Sequence, residues 1–416
     1  MNHFKPLFRS LCFVVAACAA FASYGSGFAL YQPSVISHAM GGALVGKAMD
    51  ASANFNNPAT LTDLTNIWVT VGFVTEHPRA SLRAENNGIP RGDENVDAGL
   101  FWLPHFQLAV PLPHGFVFGL CGDAEYGLGT EYDDNAPTAW SCTETTVQGY
   151  VLNPNIAYKI TDKWSIGAGL RWLYFDFEQY KNLGMLKYHL YGNNRCESLG
   201  WQVGTKYDIL DNLAVGIVYK SPIDVNVRGD TDASATVNDP KAIGTARAMT
   251  AGADAELTLP QSVTAGINWD VVKTWHLGFA VSWSEWSEFD TLMFNVKPQP
   301  NPVDLDWNDT WRASVGSAWD FAEDWTWMIS YTFDMDCCLN KDQASAMLPP
   351  AHRNILATGF VWNIWANLDL ALSYSCIFMD GGSMDTVDTA TGTGRWHLET
   401  CRGFCHAAGF SVTYRF

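Results

Sequence analysis

From position 66 to its end this chain is a series of short segments in which apolar and polar residues alternate. They are joined in turn by connections of a few residues and by long polar ones. A period of two sends successive side chains to opposite faces of an extended strand. Trp275, Leu277, Phe279, Val281 and Trp283 share one face, opposite His276, Gly278, Ala280, Ser282 and Ser284. Leu368, Leu370, Leu372, Tyr374 and Phe378 oppose Asp369, Ala371, Ser373 and Ser375 in the same way, and Val263, Ala265, Ile267 and Trp269 oppose Ser262, Thr264, Gly266 and Asn268. Short connections fall at Pro111 to His114, Thr161 to Lys163, Leu210 to Asn212, Val271 to Lys273, Ala322 to Asp324 and Trp365 to Asn367. The long ones cover about 80–97, 128–145, 182–197, 229–252, 295–308, 335–350 and 380–400. Alternation with this asymmetry of connections predicts an all-β fold, a transmembrane antiparallel β-barrel of about fourteen strands over 66–416.

A soluble β-sandwich also alternates, so tryptophan placement has to decide where the apolar face lies. Trp275 and Trp283, Trp311 and Trp319, and Trp164 and Trp172 each bracket a strand by eight residues. That spacing suits two interfacial girdles around an apolar band about 25 Å tall. Charged residues make up 16% of the chain, against about a quarter in soluble domains. After the first thirty positions no apolar run reaches the ~18 residues of a membrane helix. The last strand carries Phe410, Val412, Tyr414 and Phe416 on one face, the terminal aromatic that outer-membrane assembly machinery reads.

Lys5 and Arg9, the apolar Leu11 to Ala20 and then Ala20-Phe21-Ala22 predict a signal peptide over 1–22. Val15-Ala16-Ala17-Cys18 offers the alternative of a lipoprotein cleavage box. Cys12 and Cys18 leave with the signal, and Cys142, Cys196, Cys337, Cys338, Cys401 and Cys405 fall in or beside outer loops. An exported chain without paired CxxC or clustered histidines favours disulfides over zinc, so neither a metal site nor a cofactor is expected. The net charge of −18 excludes nucleic acid and anionic inner-leaflet surfaces as partners. The acidic stretch Gly229 to Asp254 reads as a solvated loop or as a bridge through divalent cations to lipopolysaccharide. There is no GxSxG elbow, and His38, His276 and His352 are scattered, so no enzyme is expected.

Residues 23–65 do not alternate. Gly41, Gly42, Ala43, Gly46, Ala48, Ala51 and Ala53 suit a compact segment in tight space, while Phe28, Leu30, Val35, Ile36, Leu44, Val45 and Phe55 require burial. An N-terminal hatch plugging the barrel lumen satisfies both.

Gly27-Phe28-Ala29-Leu30, Pro33-Ser34-Val35, Asp50-Ala51-Ser52 and Asn57-Pro58-Ala59 are followed by Tyr126-Gly127-Leu128-Gly129-Thr130-Glu131-Tyr132. Asn153-Pro154-Asn155-Ile156-Ala157-Tyr158-Lys159, Leu259-Pro260-Gln261-Ser262, the aromatics Trp283, Trp286 and Phe289, and Trp311-Arg312 come next. In this order they resemble the FadL/TodX family of outer-membrane transporters over nearly the whole mature chain. The extra cysteines depart from that pattern, and Leu348-Pro349-Pro350-Ala351-His352-Arg353 matches the family's Pro-Asp-x-Asp-Arg stretch only loosely.

The resemblance implies a bacterial outer-membrane monomer that imports long-chain fatty acids or related hydrophobic molecules, with outer-membrane lipid and lipopolysaccharide around it. It implies capture on outer loops, transfer to a lumen pocket and lateral release through a kinked strand. Asn57, Pro58 and Ala59 become gating candidates in the hatch. The kinked strand is Phe116 to Glu125, where alternation of Phe116, Phe118 and Leu120 fails at Cys121, Gly122 and Asp123; an ordinary bulge is the other reading. A ligand carboxylate needs a cation. The resemblance makes Lys181 the first choice, because it follows Gly167-x-Gly169 and Tyr174 at a spacing similar to that of a carboxylate-contacting arginine in the family's fatty-acid transporters, and a solvated loop lysine is the alternative. Arg171 and Arg312 face the lumen by parity, where they could equally pair with acids such as Asp320 or with the hatch. An aromatic-hydrocarbon importer would need no such cation, and a structural or adhesive barrel is the competing class.

Overall fold

The computed structural model describes residues 27–97, 99–192, 196–289, 291–296, 301–338, 351–388 and 394–416. The signal peptide and lipidation readings lie outside the described residues. Fourteen strands form the wall: β1 (Trp68–Asn86), β2 (Phe101–Pro111), β3 (Phe116–Glu131), β4 (Glu144–Lys159), β5 (Trp164–Asn182), β6 (Cys196–Leu210), β7 (Leu213–Lys220), β8 (Ser262–Val272), β9 (Trp275–Ser284), β10 (Thr310–Ala322), β11 (Trp325–Asp334), β12 (Ala351–Trp365), β13 (Leu368–Gly381) and β14 (Gly394–Arg415). Each pairs antiparallel with the next, and β14 returns to β1 from Trp68↔Arg415 to Asn86↔Trp396. Closure removes the sheet edge, which is what lets a β-structure sit in lipid.

The six short turns fall where expected, on the side of the barrel that holds Trp68 and Phe416. At the other end the long connections are folded. Residues 223–235 and 251–259, which include both ends of the stretch read as an acidic loop, are paired strands from Ile223↔Leu259 to Thr231↔Ala251. The helix Pro240–Met249 lies between them, with Asp239 as its N-cap. Further hairpins form at 89–97 and 186–192. The girdles are real rows: Trp275 lies opposite Trp319 and Trp283 opposite Trp311. Trp164, Trp172, Trp311 and Trp319 are exposed, as are the wall residues Ile267, Phe279, Leu356 and Leu372.

The hatch fills the lumen. Ser34 caps the first short helix (α1, Val35–Ala39), its Oγ accepting from Ser37 N at 3.1 Å. A second short helix follows (α2, Ala53–Asn56), then a 3₁₀ turn, Pro58–Asp63. Glycines on the inner wall make room for the hatch backbone. A Cβ at Gly278 would lie 2.1 Å from Ala43 O, and one at Gly216 would lie 2.0 Å from Val45 O. Lys47 pairs with Asp270 and Lys206 with Asp63, tying the hatch to the wall. One sequence expectation is corrected: Cys121, Cys142, Cys337, Cys376, Cys401 and Cys405 are free thiols, not disulfides. Cys121 faces the lumen beside Asn153, and Cys376 lies against Tyr374 and His406.

Candidate functional site

The wall is incomplete at one place. β2 stays paired to β1 as far as Phe101↔Glu76, but its pairing to β3 stops at Phe106↔Gly122. Residues 101–105 of β2 therefore have no partner on β3. β3 itself continues against β4, with a one-residue slip between Ala124 and Tyr126 that leaves Glu125 as the extra residue. A bulge bends the strand that carries it, and here it turns β3 away from β2.

The freed edge of β3 is taken by the hatch. Leu30 N donates to Glu125 O at 2.8 Å and Gly127 N donates to Phe28 O at 2.9 Å. Ala29 and Tyr126 form an antiparallel bridge between the two segments. Further out, the Phe101 ring packs where a Cβ on Gly129 would stand, 1.8 Å from it, so glycine is required for that ring to close over β3.

The three residues singled out on β3 surround this opening. Gly122 is the last rung of the β2–β3 ladder. Asp123 is buried in the lumen and accepts from Gln107 Nε2 at 2.7 Å, while Cys121 Sγ lies 3.6 Å from Asn153 Oδ1. Alternation persists through all three, with Cys121 and Asp123 inward and Gly122 outward. The irregularity falls three residues later than the sequence suggested.

Two cavities lie beside the hatch segment that carries Phe28. The outer one, of about 70 Å³, is lined by Phe28, Phe175, Phe177, Leu190, Val227, Phe289 and Trp307 among others, with Asp254 its only charged residue among the described residues. The inner one, of about 370 Å³, is lined by lumen residues such as Tyr31, Glu76, Arg312 and Arg353 and by Leu100 and Trp102, which are exposed on the outside. It therefore runs through the gap in the wall. Leu128 and Val147 line both cavities. Phe28 lines the outer one while its neighbours Gly27 and Ala29 line the inner one, so this segment of the hatch stands between them, the Phe28 ring edge-on to Trp286 at 4.9 Å and to Phe289 at 5.6 Å.

Of the expected cations, Arg312 lines the inner cavity. Its Nη2 donates to Gly41 O at 3.1 Å and its guanidinium lies 4.3 Å from the Tyr31 ring centre. Arg171 is fully buried behind the bulge. It pairs with Glu125, donates to Ser221 O at 3.1 Å and reaches Tyr126 Oη at 3.3 Å; Lys220 Nζ reaches the same carboxylate at 3.0 Å. Lys181 lies at the outer end of β5 and lines neither cavity.

In the hatch, Asn57 Nδ2 donates to Val45 O at 2.7 Å and to Thr205 O at 3.0 Å, and its Oδ1 accepts from Ala59 N at 3.1 Å. Pro58 opens the 3₁₀ turn. Together they peg the hatch to β6. Phe28, Glu125, Lys220 and Arg353 are not marked as site residues by the sequence. Phe28 carries only its need for burial and Arg353 only its place in a loosely matched stretch, while Glu125 stands out as a second acid two residues beyond Asp123.

This architecture recurs in known proteins. A Long-chain fatty acid transport protein of Escherichia coli O6:H1 is 25% identical over 414 residues, covering 89% of this chain and 91% of its own length. The crystal structure of a Pseudomonas aeruginosa FadL homologue superposes with a TM-score of 0.78 at 18% identity, covering 94% of this chain and 99% of its own. That of the Pseudomonas putida toluene transporter TodX does so at 0.72 and 17%, covering 94% and 100%. The family model for outer membrane protein transport proteins (OMPP1/FadL/TodX) matches residues 15–416. A closed barrel plugged by its own N-terminus, together with a match over almost its full length, places the chain in the OMPP1/FadL/TodX family of outer membrane transport proteins.

Proposed function

We propose that this protein carries fatty acids or related hydrophobic molecules across the outer membrane, taking them up in the outer apolar cavity and releasing them sideways between β2 and β3. The observation that carries the reading is the pair of cavities on either side of the hatch segment that carries Phe28, the inner one open through the unpaired stretch of β2. An apolar solute gains about 25 cal/mol for each Å² it removes from water. It therefore has no reason to leave toward the periplasmic water while a gap leads to the membrane interior. The hatch, pegged by Asn57 and filling the lumen below, leaves the wall as the exit of lower resistance.

A ligand carboxylate entering the inner cavity meets Arg312, whose Nε has no hydrogen-bond partner. Arg312, rather than Lys181, is therefore the cation assigned to a fatty acid. Arg171 is assigned a positioning part: with Lys220 it holds Glu125, and so the bulge, in place. Cys121, Gly122 and Asp123 form the base of the lateral opening, and Asn57, Pro58 and Ala59 hold the hatch beneath it.

A second reading, import of neutral aromatic hydrocarbons, is favoured by the outer cavity, where Asp254, an acid, is the only charged lining residue among the described residues. Uptake of labelled oleate and of labelled toluene by a transporter-deficient strain expressing this chain separates the two. Arg312→Met lowers oleate uptake and spares toluene if the carboxylate is recognised. Uptake of neither compound above the empty-vector rate would overturn the transport reading.

A further inference from the structure

Just beyond β11 the chain brings together Asp336, Cys337 and Cys338, all buried, with their ligand atoms within 4.8 Å of one another. The two Sγ atoms lie 3.8 Å apart, and Asp336 Oδ1 lies 3.6 Å from Cys337 Sγ. On a tetrahedral ion with bonds of about 2.3 Å to sulfur and about 2.0 Å to oxygen, two thiolates sit about 3.8 Å apart and a thiolate and a carboxylate about 3.5 Å apart. Both measured edges match. The turn is also held in shape: Cys338 N donates to Asp336 Oδ1 at 3.1 Å, and Asn308 N donates to Cys337 O at 2.9 Å. Asp336 is only 4% exposed, yet its Oδ2 has no hydrogen-bond partner. An unpaired buried carboxylate oxygen is costly unless something cationic meets it. Arg353 is near enough for its charge to act on Asp336, but it makes no hydrogen bond to Oδ2: its Nη2 donates to Gly27 O at 2.7 Å and its ion pair is with Asp334 at 3.8 Å.

We propose that Asp336, Cys337 and Cys338 form a binding site for a thiophilic divalent cation of the zinc and cadmium class, in the wall of the inner cavity. Asp336 lines that cavity, which supplies both an entry path and water for a fourth coordination position. Soft thiolates select such ions over calcium or magnesium. Adjacent cysteines lack the CxxC spacing that usually signals a metal, so the sequence does not advertise the site.

The test titrates Cd²⁺ into the full-length barrel, purified in detergent and reduced with a phosphine, following the thiolate-to-cadmium charge-transfer band in the ultraviolet. The unmodified protein gains a band that the Cys337→Ser, Cys338→Ser double variant lacks. Asp336→Asn, which keeps both thiols, weakens binding at least about tenfold. Excess Ca²⁺ leaves the band unchanged. Heat-modifiable migration on gels confirms that each variant is folded. A double variant that titrates like the unmodified protein would assign the band to other cysteines and overturn the site, and so would an Asp336→Asn titration indistinguishable from it.

Discussion

If Phe28 is the partition between the cavities, Phe28→Ala frees the N-terminal end of the hatch without touching the wall. Phe28 is buried and makes edge-on or tilted contacts to Tyr126, Trp286, Phe289 and Trp307 at ring separations of 4.9–6.2 Å. Truncating a buried phenylalanine costs about 3–5 kcal/mol. What remains on this segment is the pair of backbone hydrogen bonds to β3, each of about 0.5–1.5 kcal/mol, and the bond from Arg353 to Gly27 O. Phe28 takes no part in the strand ladder that closes the barrel, so the loss falls on docking of the segment. Three kcal/mol corresponds to a rise of roughly a hundredfold in the population of the detached state. Hydrogen exchange in detergent reads this at the amides of Leu30 and Gly127, which should lose about a hundredfold of protection while those of β4 and β5 keep theirs. Unchanged protection at Leu30 and Gly127 would refute the partition, and a uniform loss along β4 and β5 would show that Phe28 props the wall instead.

The hatch peg gives a second test: Asn57→Ala with Pro58→Ala removes two bonds from the hatch to Val45 and Thr205, and should impair labelled-oleate uptake while the protein remains heat-modifiable. Arg171→Met leaves Glu125 buried with one cation instead of two, and urea unfolding should show a loss of about 3–5 kcal/mol. His38 in the hatch contacts Ser373 Oγ at 2.9 Å and Ser375 Oγ at 2.8 Å, and burial, with His105 nearby, lowers its pKa from 6.5 to about 4. The detached hatch then binds a proton that the docked one refuses, so docking stability should fall as pH drops from about 6.5 and level off near 4. The total, about 3 kcal/mol, is readable as exchange of hatch amides, and His38→Asn should remove this contribution, leaving the opposite one of Asp50, whose carboxyl pKa is raised by burial in the same hatch.

Strand parity was enough to put Arg171 and Arg312 inside the lumen and the tryptophans outside, because a closed barrel leaves each side chain only two directions. The gap was not legible in the same way. It depends on where the β2–β3 ladder stops, at Phe106↔Gly122, and no pattern within one strand records how far its neighbour follows it. Cys121, Gly122 and Asp123 drew notice because a buried acid breaks hydrophobic alternation, yet Asp123 is a regular inward residue satisfied by Gln107. Deleting Gly122 would turn the residues beyond it onto the opposite face, sending Asp123 into lipid, and would not close the ladder. Lys181 is suggested by a spacing shared with family members, which carries no information about cavities formed by the outer hairpins. The plug, by contrast, is announced by the small residues Gly41 to Ala53 of the hatch itself, and the wall answers with Gly278 and Gly216, which are glycine because backbone from the hatch lies against them.

The claim that ligand leaves through the wall is tested most directly by photo-crosslinking. A long-chain fatty acid bearing a diazirine is supplied to cells expressing the protein, illuminated during uptake, and the labelled peptides are identified by mass spectrometry. Release between β2 and β3 predicts adducts on Leu100, Trp102, Leu103 and Ala124, which line the opening. Adducts confined to Asp63, Leu64 and Lys206, where the hatch meets the wall at the far end of the lumen, would mean that ligand passes through the plug and would contradict the lateral route.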